Sequence, residues 1–282
     1  MAKRRYGFDE EKIQRFLKES RGQGSGADYR PWLTIQDVSS LGLSSRILGC
    51  KTGRDHHLLS KGETGLFLLF DWSDSVTDIR EQYPLNRDET RRIASEMGVR
   101  HPIDTKSQTD LVMTTDLLVD AQSDSGHALF ARSVKLAVDL DDTRTIEKQE
   151  IERRYWKIRG IDWGLVTDKD LPEQRIETLQ WLHEMYSLQN MMEPHPGYWD
   201  TRCVRFLACL PQAEGMSVKQ FVRLLEGTQG FAVGEALTIL RHLAANKRIA
   251  IDLDVKFDMH GPMSSFSAVA SHVKSQSDRK TA

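Results

Sequence analysis

The sequence has few cysteines and no long apolar run. Cys50, Cys203 and Cys209 are an odd number of thiols at irregular spacing, which argues against a disulfide framework and favours a reducing, cytoplasmic compartment. No stretch approaches the roughly 20 apolar residues of a membrane span, and residues 1–12 lack the apolar core of a signal peptide. We therefore expect a protein of the cytosol with no membrane partner.

An excess of charge of one sign is absent too. The formal net charge is −2, from 39 Lys and Arg against 41 Asp and Glu. This balance excludes coating of nucleic acid by bulk charge, but a local basic face would still allow DNA binding. Arg4 and Arg5 are adjacent in the N-terminal segment, and we predict that they contact DNA phosphates; a solvated tail is the alternative. No phosphate-binding glycine loop is present, so we expect no ATP site.

The pattern along the chain predicts two domains. With 282 residues and 39% hydrophobic residues, the chain can bury a normal core. Mixed helix and strand signals predict an α/β domain over residues 1–170, with one mixed sheet flanked by helices. Short helices followed by a strand then predict a smaller, mostly helical, winged-helix-like domain over 171–265. The Ser- and Lys-rich stretch 266–282 predicts a disordered tail.

Specific elements are expected in the first domain. The sequence SKGE starting at Ser60 is a capping box, so we predict a helix containing the apolar run LFLLFDW. We predict further helices at 87–98 and 141–160, and strands at 75–85, 110–120, 128–138 and 161–167, the last of them buried.

Phosphodiester chemistry is suggested by three residues on these elements, which are Glu63, Asp116 and Lys135. Side chains alternate along strands, so a hairpin of the second and third strands would bring Asp116 beside Ser133 and Lys135. Charged groups on otherwise apolar strands are costly to bury unless they are paired or bind metal. Mg²⁺ prefers hard oxygen ligands. We predict that Asp116, a neighbouring oxygen and the Val134 carbonyl hold it, with Glu63 completing the site and Lys135 acting on the attacking water.

Each of these residues also has a structural explanation. Glu63 lies three residues after Ser60, where it would serve only as the reciprocal cap of the helix. Asp116 would end a strand, and Lys135 would be an edge-strand lysine with a buried stem. The spacing of the three residues leaves both explanations open.

At these residues the sequence resembles the TnsA family, the endonuclease subunits of heteromeric cut-and-paste transposases. The resemblance covers roughly residues 6–170 and is carried by RGQGSGADYRPWLTIQDV (21–38), KTGRDHHLLSKGE (51–63), SVTDIREQYPL (75–85), TTDLLVD (114–120), SVK (133–135) and IEKQEIERRYWKIRGIDWGLVTDK (146–169). It implies a restriction-endonuclease-like fold with Glu63, Asp116 and Lys135 as catalytic residues. It also implies an acidic active-site position at Glu152.

The resemblance further implies a reaction and partners. The reaction is metal-dependent cleavage of the 5′ strands at transposon ends, with Mg²⁺ as cofactor and Mn²⁺ as a substitute. The partners are TnsB, an RNase-H-like transposase that cuts the 3′ ends, and TnsC, an AAA+ ATPase that regulates both and binds the second domain in relatives.

Ser133 departs from the family pattern, which usually has Gln there. A serine hydroxyl is a shorter and weaker metal ligand, so we expect weaker metal binding, with a bridging water or Glu152 filling the gap. This departure keeps a non-enzymatic alternative open, a degenerate nuclease fold that bridges DNA and an ATPase. A stand-alone restriction or repair nuclease is a third alternative.

Three more residues are predicted to contact DNA. His57 lies just upstream of Glu63, so we expect it to approach a phosphate. Arg80 and Gln82 lie on the strand at 75–85 and would line the DNA cleft; an ordinary amphipathic strand is an equal alternative.

Overall fold

The structure is a computed structural model that describes residues 7–38, 44–124 and 126–269 of the chain. It divides into two compact units, Met1–Pro172 and Glu173–Ala282. No helix in the described ranges has the length and apolar character needed to cross a membrane. Arg4 and Arg5 lie outside the described residues, so their predicted role stays a prediction.

The first unit is built around a four-stranded mixed sheet. The strands of the unit are β1 (Ser45–Leu48), β2 (Asp55–Leu58), β3 (Val76–Pro84), β4 (Thr114–Ser123), β5 (Gly126–Lys135) and β6 (Asp162–Thr167). The order in the main sheet is β3-β4-β5-β6, and β1 pairs with β2 in a separate antiparallel hairpin. The first two junctions of the main sheet are antiparallel and the last is parallel.

The helices of this unit begin at polar caps. They are α1 (Glu10–Lys18), α2 (Lys61–Trp72), α3 (Arg87–Glu96) and α4 (Thr143–Ile158), capped by Asp9, Ser60, Asn86 and Asp142, whose side chains accept backbone N–H groups of the first turn. Helices α3 and α4 share a core with the sheet, in which Ile93 and Trp156 pack with Leu118. The predicted mixed sheet flanked by helices is confirmed.

Some predicted boundaries are wrong. The strand expected at 110–120 begins only at Thr114, and the one expected at 128–138 ends at Lys135, where a 3₁₀ helix follows over Ala137–Asp141. The strand predicted as buried, β6, lies at the edge of the sheet, with Asp162 exposed and the rest half-buried. An apolar run cannot distinguish an edge strand from a central one when only one face is covered.

The second unit is mostly helical. It contains α5 (Glu173–His183), α6 (Tyr198–Cys209), α7 (Val218–Thr228), α8 (Glu235–Ala245), β7 (Ile249–Ile251) and β8 (Phe266–Ala268). Helices α6, α7 and α8 enclose a core of buried side chains that includes Phe206, Phe221 and Leu240. Strand β8 pairs antiparallel with β7. The predicted disordered tail therefore begins too early, because its first three residues form this strand; residues 270–282 lie outside the described ranges.

Candidate active site

Glu63 lies in the first turn of α2 and is 6% exposed. The Ser60 hydroxyl accepts the Glu63 N–H at 3.1 Å and donates to Glu63 Oε1 at 3.0 Å. The other carboxylate oxygen, Oε2, accepts the Leu59 N–H at 2.9 Å. Glu63 is therefore part of the helix cap, and the cap fixes where its carboxylate points.

Asp116 and Lys135 meet where the pairing of β4 with β5 ends. That ladder ends at the pair of Leu117 with Arg132. Just beyond it, Asp116 Oδ2 accepts the Val134 N–H at 2.7 Å. The Lys135 ammonium donates to Asp116 Oδ2 at 3.1 Å and to the Val134 carbonyl at 2.7 Å. The proximity predicted from strand alternation is present.

Glu152 lies on α4 and is 2% exposed. Its Oε1 accepts two hydroxyls, from Ser133 and from Thr115, each at 2.6 Å. The indole N–H of Trp156 donates to Thr115 Oγ1 at 2.7 Å. Sequence reasoning missed Thr115 and Trp156. A signal existed for Trp156, since it lies four residues after Glu152 and so shares its helix face.

The charges of these four side chains act on one another. Burial and the Asp116 charge raise the pKa of Glu63 to about 7 and the pKa of Glu152 to about 7. For Lys135, burial favours the neutral amine, but the carboxylates of Asp116, Glu152 and Glu63 outweigh it and raise the pKa of the ammonium. Three carboxylates and one ammonium from α2, β4, β5 and α4 thus share one electrostatic environment.

Two family models match the chain, one after the other. Residues 73–168 match the TnsA-like endonuclease N-terminal model, and residues 170–253 match the TnsA endonuclease C-terminal model. The transposon Tn7 transposition protein TnsA of Escherichia coli is 49% identical over 185 residues, which are 66% of this chain and 67% of the relative. The chain belongs to the TnsA family of endonucleases. It is a DNA endonuclease subunit for transposition.

An endonuclease of the TnsA type is expected to use a divalent metal, and the residues here fit one. The site offers hard carboxylate oxygens, and the repulsion that Asp116 exerts on Glu63 and on Glu152 would be relieved by a bound cation. Ser133 is 1% exposed and its hydroxyl donates to Glu152, and its role as a ligand stays a prediction. The Val134 carbonyl accepts from Lys135.

The residues predicted to contact DNA occupy different environments. Arg80 pairs with Asp120 and lies 3.6 Å from Asp78. Gln82 is 2% exposed and its amide is bonded inside the protein, so it does not match the prediction that it lines an open cleft. His57 is half-buried on β2.

His57 helps to line a pocket of about 490 Å³ between β2 and the segment that follows α1. Its wall is formed by Glu19, Arg21, Ala27, Tyr29, Arg30, Pro31, Thr34, Arg54, Asp55 and His57. Two of the arginines are neutralised, Arg54 by Glu81 at 2.6 Å and Arg21 by Asp37 at 2.6 Å. Arg30 is exposed and has no carboxylate partner within the described part of the chain; one of its N–H groups donates to a backbone carbonyl.

Proposed function

We propose that this TnsA-family endonuclease hydrolyses the 5′ strand at each transposon end, in the bacterial cytoplasm, with Mg²⁺ as its cofactor and Mn²⁺ as a substitute. TnsB and the AAA+ ATPase TnsC are its proposed partners. The observation that supports the proposal is the set of four charged side chains, Glu63, Asp116, Lys135 and Glu152, that four separate elements bring into one environment.

Each residue has a proposed task. Asp116 and Glu63 hold the metal, with Glu152 as the deeper third carboxylate. A bound divalent cation acidifies a water and stabilises charge on the phosphate. Lys135 is held at 3.1 Å from Asp116, so its amine is placed to orient the attacking water or to neutralise charge that develops on the leaving oxygen.

The pocket beside β2 is proposed to hold a phosphate of the bound DNA. Arg30 supplies an exposed guanidinium, and His57 supplies a half-buried ring that lines the same pocket. Strand β2 ends at Leu58 and α2 begins at Lys61, so the pocket and Glu63 lie on consecutive elements. A basic side chain bonded to phosphate positions the DNA without reading its sequence.

Strand-specific nicking of a transposon-end plasmid, with Mg²⁺ and with TnsB and TnsC supplied, tests the site. We expect Asp116→Ala and Lys135→Ala to lower 5′-strand cleavage by about a hundredfold or more, with 3′ cleavage by TnsB unaffected. Lys157→Ala, at an exposed position of α4, is the matched control and should cut normally. If the Asp116 and Lys135 variants cut 5′ ends as well as the unmodified protein, the active site has been placed wrongly.

A further inference from the structure

Gln82 has an unusual backbone conformation for a residue inside a β-strand. Its φ is +48°, in the left-handed region that L residues other than glycine rarely occupy. The pairs Glu81 with Leu117 and Tyr83 with Thr115 keep the register of β3 on either side of it. Its backbone carbonyl accepts the N–H of Trp32 at 3.2 Å. A strained conformation of this kind persists only where the surroundings hold it.

The side-chain amide of Gln82 is hydrogen-bonded at both ends inside the protein. Its Nε2 donates to Glu63 Oε2 at 3.1 Å, and its Oε1 accepts the Thr114 hydroxyl at 3.0 Å. An ionised carboxylate can only accept, so Glu63 fixes Nε2 as the end of the amide that faces it, and Oε1 is left to accept the Thr114 hydroxyl.

Glu63 therefore has donors on both of its oxygens. The Ser60 hydroxyl donates to Oε1, and the Leu59 N–H and the Gln82 amide donate to Oε2. Leu59 and Ser60 come from the helix cap, so they tie the carboxylate to its own helix. Gln82 is the donor that ties it to the sheet, in the strand next to the one that carries Asp116.

We propose that Gln82 is a positioning residue of this nuclease: its carboxamide orients Glu63 toward the metal site, and its left-handed backbone aims that carboxamide. The inference rests on the proposed function, because it assumes that Glu63 is a metal ligand. It replaces the predicted role of Gln82 in contacting DNA. Partners that orient a metal ligand commonly affect metal affinity by about 10- to 100-fold.

Two variants remove the Gln82 amide, one with relief of the left-handed backbone strain and one without it. Gln82→Gly removes the amide and relieves the left-handed strain, so it should stay folded while metal use suffers. Gln82→Met keeps the length and the apolar packing but leaves Thr114 without its acceptor. We expect both to raise the Mg²⁺ concentration for half-maximal nicking by about tenfold, and to weaken Mn²⁺ binding measured by calorimetry without DNA by a similar factor.

Gln108→Gly is the matched control. Gln108 has the same side chain and the same left-handed backbone, with φ of +57°, but it lies exposed in a loop. This variant should show unmodified nicking and unmodified Mn²⁺ affinity.

The inference is overturned if the folded fraction of both Gln82 variants keeps the unmodified Mg²⁺ and Mn²⁺ dependence, since Gln82 would then serve the fold alone. Glu63→Gln in the same assays separates this failure from failure of the proposed site. If Glu63→Gln is inactive while the Gln82 variants behave normally, only the role of Gln82 is wrong. If Glu63→Gln cuts normally, the proposed site is wrong.

Discussion

Glu152 is the most deeply buried of the three carboxylates, and two hydroxyls meet on one of its oxygens. Those hydrogen bonds favour the ionised form, yet burial and the charge of Asp116 outweigh them and raise its pKa to about 7. In the absence of metal, the ionised form of Glu152 therefore lowers the stability of the folded protein whenever the pH is above that value. A divalent cation is the group that would offset this cost.

Substituting Glu152→Gln tests this cost. The amide keeps an oxygen to accept from Ser133 and Thr115 but carries no charge. Folding raises the pKa of the Glu152 carboxyl from 4.5 to about 7. The contribution of this carboxyl to the free energy of unfolding is therefore fully present below pH 4.5 and is lost as the pH rises through 7. Without metal at pH 8 the variant should be more stable than the unmodified protein by roughly 1–3 kcal/mol.

Thermal unfolding measured at pH 5 and pH 8, with and without Mg²⁺, checks the expectation. The advantage of the variant should vanish at pH 5, and Mg²⁺ should stabilise the unmodified protein more than the variant at pH 8. An advantage of equal size at both pH values would mean that ionisation of Glu152 is not its source. Nicking by the variant should fall by about tenfold or more, since a ligand charge is lost.

At the scale of elements, the position of the site depends on how closely α2 approaches β5. Gly62 is the contact point: a Cβ built there would come 2.7 Å from Val134 Cγ1. Any side chain larger than hydrogen therefore forces a shift, either of the Val134 side chain or of the start of α2 relative to the strand that carries Lys135. Since Glu63 is the next residue, such a shift moves one catalytic group relative to the others.

We expect Gly62→Ala to lower nicking by about a hundredfold, because a displacement near 1 Å can cost that much when groups must converge. The double variant Gly62→Ala with Val134→Ala removes the clashing methyl groups and should recover most of the activity. Gly227→Ala is the control: Gly227 lies in α7, where a Cβ would meet nothing within 4 Å.

The control variant should gain about 0.5–1 kcal/mol in stability, as alanine does over glycine inside a helix. Nicking assays and urea unfolding of the three variants would measure both effects. Unchanged nicking by Gly62→Ala would show that the spacing of α2 and β5 is not critical.

At the scale of the whole molecule, the two units have separate cores. The first unit buries Leu118, Ile151 and Trp156 together between sheet and helices. In the second unit the core runs from Leu188 to Phe266 along the chain. A chain division at Pro172 leaves both of these cores intact, and the four charged residues of the candidate site all lie in the first unit.

We predict that residues 1–172 and 173–282 fold as separate proteins, each with one cooperative thermal transition. The first fragment should bind Mn²⁺ in calorimetry, and Asp116→Ala should abolish that binding. The second fragment should bind none. A first fragment without a cooperative transition would mean that its fold needs the rest of the chain.

Several features of this protein were readable from local sequence. The capping box at Ser60 predicted α2 and its first residue, and strand alternation predicted that Asp116 lies beside Lys135. Both patterns act over a few residues or across one tight turn. The family match then carried the restriction-endonuclease-like fold, which alternation by itself does not specify.

The tertiary structure alone decided the rest. Ser133 bonds to Glu152 and Gln82 bonds to Glu63 across 19 residues in each case, and β6 takes an edge rather than a buried place in the sheet. The left-handed backbone of Gln82 has no local signal, since its residue type does not favour that conformation. Local sequence determines which elements form, but which side chains share a buried carboxylate depends on how distant elements pack.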